Sequence, residues 1–382
     1  MLPTRSGSFT YKLYIPVKPV LFCLRAGFWA FQSNLILFYD MARITIKDLA
    51  RELGVAPSTI SRALSDHPAI SAQLKQKVKQ LAEEMNYTPN LQARFLQSKQ
   101  ANIIALIIPE IGAFFVPEMI YAVNTAAAAR DFSVVILTSE NQLEREKEML
   151  TYAANVPAAG ILLSVSEETR DDEHVRRIQD MGLGCVLIDR VTDKTKASFV
   201  CMDDRKAAIQ ATQYLLEKGH THILGMFGPP ALSMTHYRKN GFREALADHP
   251  RTRSISPQEL DVQYILEIDK LLETYLKEHP EITAIFCMSD EILVYTHHAL
   301  MRQGRHIPEE ISVISISDGD APYYLYPNIT YINHSGFEVG VKAVEMLVKQ
   351  IQTKDEQEAK QQKMHFVHTR VFELDSVRDL SQ

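Results

Sequence analysis

The run Pro57-Ser58-Thr59-Ile60-Ser61-Arg62 places short polar side chains and one arginine on a single stretch of chain. That combination suits base reading, because an arginine can donate to both major-groove acceptors of a guanine while small polar neighbours let base edges approach. Pro57, Ser58, Ser61 and Arg62 form the candidate face, and Thr45 and Thr59 join them as candidate DNA contacts. Covalent and redox chemistry find little foothold elsewhere. There is no G-x-x-x-x-G-K-[ST] loop and no G-x-G-x-x-G after a strand, so neither phosphate-cradling motif is present. His220 and His222 stand two apart before an apolar run and would face opposite sides, a poor metal pair. Cys23, Cys185, Cys201 and Cys287 have no C-x-x-C spacing, and three of them lie in or beside apolar runs. They are expected to be reduced, buried thiols of a cytoplasmic protein. No metal, no cofactor and no catalytic role are expected.

The elements that would position the candidate face are two short helices on either side of Gly54. Thr45 followed three residues later by Asp48 is a helix start, so the first helix begins near Ile46. Ile46, Leu49, Ala50 and Leu53 recur at helical spacing and share one apolar face. Gly54 ends the helix in a left-handed turn, which is cheapest without a Cβ. Pro57 is pre-set for a first helical turn, and the second helix runs to about Leu64. Ala56 occupies the position of a capping hydroxyl, a weakness of roughly 1 kcal/mol. A third helix, capped by Ser71, turns Leu74, Val78, Leu81, Ala82 and Met85 inward. Tyr87-Thr88-Pro89 interrupts it, and Asn90 can cap a last short helix from Leu91 to about Ser98.

The run Thr45 to Arg62, the segment Asn86-Tyr87-Thr88-Pro89-Asn90 and the stretch Ala93-Arg94-Phe95-Leu96 together resemble the LacI/GalR family of bacterial transcription repressors. The resemblance implies that the second helix enters the major groove, with Pro57, Ser58 and Arg62 at the base-reading places. It also implies that Asn90, Arg94 and Leu96 belong to a hinge helix, with Leu96 wedged into a minor-groove step. Family members usually carry a serine where this chain has Ala56.

Charge agrees with a DNA-binding head. Residues 41–100 hold nine Lys or Arg against five Asp or Glu, a net of +4, and residues 1–40 a net of +3, which leaves −13 for the rest of a chain at −6. A basic head on an acidic body is expected where one end alone meets phosphates. Residues 1–40 fit this scheme poorly. Tyr14 to Phe38 is apolar and aromatic but interrupted by Lys18 and Arg25. A membrane anchor, a secretory signal and a non-native leader ahead of a true start at Met41 compete, and the opening Met41-Ala42-Arg43-Ile44-Thr45 favours the leader.

From Asn102 onward, apolar runs alternate with helical patterns: 103–108, 134–137, 160–163 and 185–188, then 223–227, 284–287 and 313–316. Such alternation means parallel sheets covered on both faces. About 280 residues exceed one ordinary core, so two α/β lobes are expected, divided near Asp189 to Met202 where the strand and helix signals lapse. The domain scheme is a leader over 1–40, a helix-turn-helix head over 41–88, a hinge over 89–100 and a two-lobed, periplasmic-binding-protein-like effector domain over 101–382.

Ligands bind beyond the carboxyl ends of strands in such sheets. Phe114, Phe115, Arg190, Arg238, Ser289, Asp290 and Asp318 stand there and are the candidate effector contacts. Each has a plainer reading. Phe114 and Phe115 can pack a helix end, Asp204 and Asp290 can be helix caps, and Arg238 taken alone would be a surface charge. The resemblance assigns Arg238 to the grip on the effector, leaving the core independent of it, and Asp318 to the family's acidic pair, whose first member is Ser317 here. Aromatic rings beside charged groups suit a sugar or nucleobase, a sugar derivative foremost. The whole reads as a cytoplasmic homodimeric regulator, acting on a pseudo-palindromic operator without contacting membrane. A periplasmic solute receptor is the alternative for residues 102–382, and an enzyme comes third.

Overall fold

The computed structural model describes residues 44–87, 102–112, 114–192, 194–230, 232–353 and 361–381. Asn90, Arg94, Leu96 and Cys23 lie outside the described residues, as do the hinge and the leader. The described residues fall into two units, a helical head and an α/β body.

In the head, α1 (Ile46–Leu53), α2 (Pro57–Leu64) and α3 (Ala72–Glu84) pack around Leu49, Ala50, Ile60, Ala63, Val78 and Ala82. Thr45 caps α1 in a capping box with Asp48, whose carboxylate accepts the Thr45 amide and hydroxyl at 2.9 and 2.7 Å. Gly54 sits at φ 63°, the left-handed turn that its position requires. Ser71 caps α3 by accepting the Leu74 amide at 3.4 Å.

The body contains two six-stranded sheets. The first lobe is built from β1 (Ile103–Ile108), α4 (Phe115–Ala128), β2 (Ser133–Thr138), α5 (Leu143–Asn155), β3 (Ala158–Leu163), α6 (Glu173–Asp180), β4 (Gly184–Ile188) and β5 (Ser198–Met202). The chain then crosses to the second lobe, which contains α7 (Asp204–Glu217), β6 (Ile223–Phe227), α8 (Ser233–Asp248), β7 (Gln258–Asp261), α9 (Ile268–Glu278), β8 (Ala284–Cys287), α10 (Asp290–Arg302), β9 (Ser312–Ser317), α11 (Ala321–Tyr324) and β10 (Thr330–Asn333). α12 (Gly336–Gln352) returns to pack on α4 and the first sheet, and β11 (Met364–Val367) joins that sheet before β12 (Val371–Phe372) joins the other. Strand orders are β11-β5-β4-β3-β1-β2 and β12-β10-β9-β8-β6-β7, parallel except for β12. The segment where strand signals lapse thus holds β5, and the first crossing follows it at Asp203.

Among the described residues, three segments therefore join the lobes: Asp203, the His334-Ser335 step, and residues 368–370. The helices that follow the first two crossings are seated by glycine. A Cβ on Gly340 would come within 2.8 Å of the Met119 carbonyl on α4, and one on Gly241 would strike the Arg205 carbonyl of α7. No larger residue permits either helix pair to approach so closely. Cys185, Cys201 and Cys287 are free and buried, as their apolar surroundings imply. Among the described residues no helix is long and apolar enough to cross a membrane.

Candidate functional site

On the head, Thr45, Pro57, Ser58 and Arg62 are exposed, and Thr59 and Ser61 are half-buried. The reason lies in the period of α2. Ile60 and Ala63 are spent on the core, so Pro57, Ser58 and Arg62 remain on the surface side. Arg62 stands in the last turn of α2, where a cation also suits the negative end of the helix dipole.

In the body, a cavity of about 460 Å³ lies between the carboxyl ends of the two sheets. Its wall includes Phe115, Arg190, Arg238, Ser289, Asp290 and Asp318, six of the seven residues expected there. Phe114 is the exception. It immediately precedes α4 and is 37% exposed, whereas Phe115 faces inward. Successive residues on a helix point about 100° apart, so one ring of the pair can enter the cleft and the other cannot. A second cavity of about 520 Å³ adjoins the first, sharing Glu167, Arg190, Leu232 and Met234.

Arg238 lines the cavity but is not independent of the core. It is 3% exposed, its Nε donates to Asp204 Oδ1 at 2.7 Å and its Nη1 donates to the Met288 carbonyl. The guanidinium therefore holds together the first crossing, β8 and α8 as well as lining the cavity. Asp204 is not the cap of α7, because Asp203 accepts the Lys206 amide at 3.0 Å. Ser289 likewise caps α10 by accepting from Ile292 at 3.5 Å, and this leaves Asp290 to the cavity.

Asp290 is 5% exposed. Its Oδ2 accepts the Asp318 amide at 3.2 Å, and its Oδ1 has no hydrogen-bond partner. Burial, reinforced by the charge of Asp318, pushes its carboxyl up to about 8. Burial raises Asp318 too. Asp189 follows β4 at φ 58°, a left-handed position that aspartate tolerates better than most residues, and its carboxylate accepts from Ser164 at 3.4 Å. Burial lifts its carboxyl to about 6 against the opposing pull of Arg190. Arg190 itself donates to Asn141 at 3.2 Å.

The sequence did not single out His334. It lies at the second crossing, stacks on Phe115 with ring centroids 4.1 Å apart, and keeps a buried, unpartnered Nε2. Burial, aided by Arg238, holds it down to about 3, so it is neutral near pH 7. The strand-end rule would have found it had Thr330–Asn333 been recognised as a strand. His220 lies away from the cavity and is a core histidine, bonded to Thr283 at 2.9 Å and to the Arg378 carbonyl at 3.0 Å. Among the described residues no group of three or more His, Cys, Asp or Glu can hold a metal ion.

Residues 101–369 match the family model described as periplasmic binding proteins and sugar binding domain of LacI family, and residues 45–90 match that of bacterial regulatory proteins, lacI family. The chain is 26% identical to a ribose operon repressor of Halalkalibacterium halodurans over 81% of this chain and 91% of that protein. It is 29% identical to the HTH-type transcriptional repressor CytR of Escherichia coli (strain K12), over 81% and 90%. A lac repressor dimer, solved bound to operator and the anti-inducer ONPF, superposes with a TM-score of 0.76 at 18% identity, covering 88% of this chain and 99% of that one.

Proposed function

The chain belongs to the lacI family of bacterial regulatory proteins, and on that premise we propose that it is a repressor whose hold on a pseudo-palindromic operator is set by a small molecule, a sugar or sugar derivative, bound between its two lobes. Membership makes it a DNA-binding transcriptional regulator, so the reading as a solute receptor alone is set aside. The relatives it matches are named as repressors of transcription, which supports a non-enzymatic, cytoplasmic role.

The observation that carries the effector reading is the cavity between the sheets with two buried, unpartnered polar atoms, Asp290 Oδ1 and His334 Nε2, on its wall. Buried polar groups without partners are rare, and a ligand with hydrogen-bonding groups supplies what they lack. Two of the crossings, at Asp203 and at His334-Ser335, lie beside the residues that would grip the ligand, which supports coupling of binding to the angle between lobes. The coupling is limited by the ligand's differential affinity for the two lobe arrangements. As in the lac repressor dimer, two copies would present two heads to the two half-sites of an operator.

The test is to select a binding duplex from a random pool and then to titrate sugars and nucleosides while following anisotropy of that duplex. A selected site with dyad symmetry, whose affinity one compound class changes, is expected. Equal affinity for selected and random duplexes would overturn the operator reading, and indifference to every compound would overturn effector control.

A further inference from the structure

Carboxylates dominate the wall of the cavity. Glu110, Glu167 and Asp189 come from the first lobe, and Asp290, Glu291 and Asp318 from the second. Two guanidiniums stand against these six, Arg190 and Arg238, and Asp204 already neutralises the second. Drawing the lobes together over a ligand brings like charges from both sides into a space that excludes water, where their repulsion grows. A neutral sugar can donate hydroxyls to these groups but cannot offset the charge.

The sharpest point of the imbalance is the Asp290–Asp318 pair. Asp290 is 95% buried, and its carboxylate is met by the Asp318 amide on Oδ2 and by the Ser317 side chain, which leaves Oδ1 unmatched. Asp318 accepts the Asp320 amide at 3.0 Å. No Lys or Arg forms an ion pair with either carboxylate among the described residues. A bare metal ion does not fit, since no suitable ligand cluster is present among the described residues. The remainder of the wall instead offers apolar surface for a ring, with Phe115, Leu232, Met234 and Ile265 around it and the neutral His334 Nε2 as a further polar contact.

We propose that the effector carries a cationic nitrogen which sits on the Asp290–Asp318 pair, placing it among aminated rings, amino sugars first, and outside the neutral sugars. The proposal rests on the reading of this cavity as the effector site. Near pH 7 Asp290 still holds its proton, which it releases to solvent when a protonated amine donates to Oδ1 and to the Asp318 carboxylate together; the amine's charge then offsets the repulsion that closure would otherwise build.

The test uses matched triplets on the full chain by calorimetry: glucosamine, glucose and N-acetylglucosamine, with the galacto and manno equivalents, plus neutral sugars and nucleosides as a wider panel. At least one amine should bind about tenfold or more tighter than both its parent sugar and its N-acetyl form. Asp290→Asn, which keeps the shape, should bring the amine within about threefold of the parent. Should that variant fail to fold, the triplet comparison on the wild-type chain decides alone. Tighter binding of a neutral member overturns the cationic proposal and leaves the cavity as an effector site. Amine preference that survives Asp290→Asn overturns the assigned position. If no compound of the panel binds at about 10 mM, both the proposal and the effector reading fall.

Discussion

Arg62 on the head and Arg238 in the cleft are both candidate site arginines on helices, yet their surroundings are opposite. Arg62 is exposed, on a face of α2 that the core does not use. Arg238 is buried, with its guanidinium already engaged by Asp204 and by the Met288 carbonyl. A surface that meets a polyanion keeps its cations in water until contact, whereas a cleft that encloses a small molecule has desolvated its charges in advance and must pair them within the fold. Losing Arg62 should therefore harm function alone. Losing Arg238 should harm fold and function together.

The largest expected effect breaks this comparison at the buried end. Arg238→Ala strands the Asp204 carboxylate and should cost about 3–5 kcal/mol of stability in urea unfolding. Adding Asp204→Asn to that variant should recover part of the loss. A single variant as stable as wild type would show that Arg238 serves ligand only.

The next effect concerns pH. The Asp290 carboxyl is raised from 3.8 to about 8 in the folded chain, so the folded state holds this proton more tightly than the unfolded one. The resulting stability is fully present below pH 3.8 and is lost as pH rises to about 8, at about 1.4 kcal/mol per pH unit as an upper bound. His334, lowered from 6.5 to about 3, works in the other direction and removes stability as pH falls through that window. Subtracting the melting curve of Asp290→Asn from that of wild type isolates the contribution of Asp290. The variant should gain on wild type steadily from pH 6 to 8, and a pH-independent difference would contradict the assigned burial of the carboxyl.

At the exposed end, Arg62→Ala should weaken binding to a selected operator by about 1–3 kcal/mol while leaving melting temperature and effector affinity unchanged. Equal losses on selected and random duplexes would reduce Arg62 to a phosphate contact. The smallest effect sharpens the helix itself: Ala56→Ser supplies the missing cap of α2 and should stabilise the head by roughly 1 kcal/mol. An unchanged head midpoint would mean that Pro57 alone sets the start of the helix.

The head was legible residue by residue. Its caps, its left-handed glycine and its apolar faces each depend on neighbours within a few positions, and α1 to α3 lie where those signals put them. In the body the strands with long apolar runs were legible, and others were not. β7 reads Gln-Glu-Leu-Asp, an edge strand with one neighbour, β6, and polar side chains, so nothing local marks it. β5 was hidden in a stretch that looked like a linker, although all five of its residues are buried.

The cleft divides in the same way. Its position beyond the strand ends, and five of its expected residues, followed from the alternation of strand and helix, which is a short-range pattern, while Arg238 was assigned to it through the family resemblance. Which charges share a site did not follow. Arg238 meets Asp204 across 34 positions, Asp290 meets Asp318 across 28, and His334 reaches Phe115 only because β10 ends at the second crossing. The sequence by itself determined the kinds of element, the exposed face of the helix proposed to meet DNA and the rim on which a ligand would sit. The tertiary structure decided which side chains lose water and which partners they find, because burial and charge pairing depend on segments distant in the chain being brought together, and no local period or cap encodes that closure.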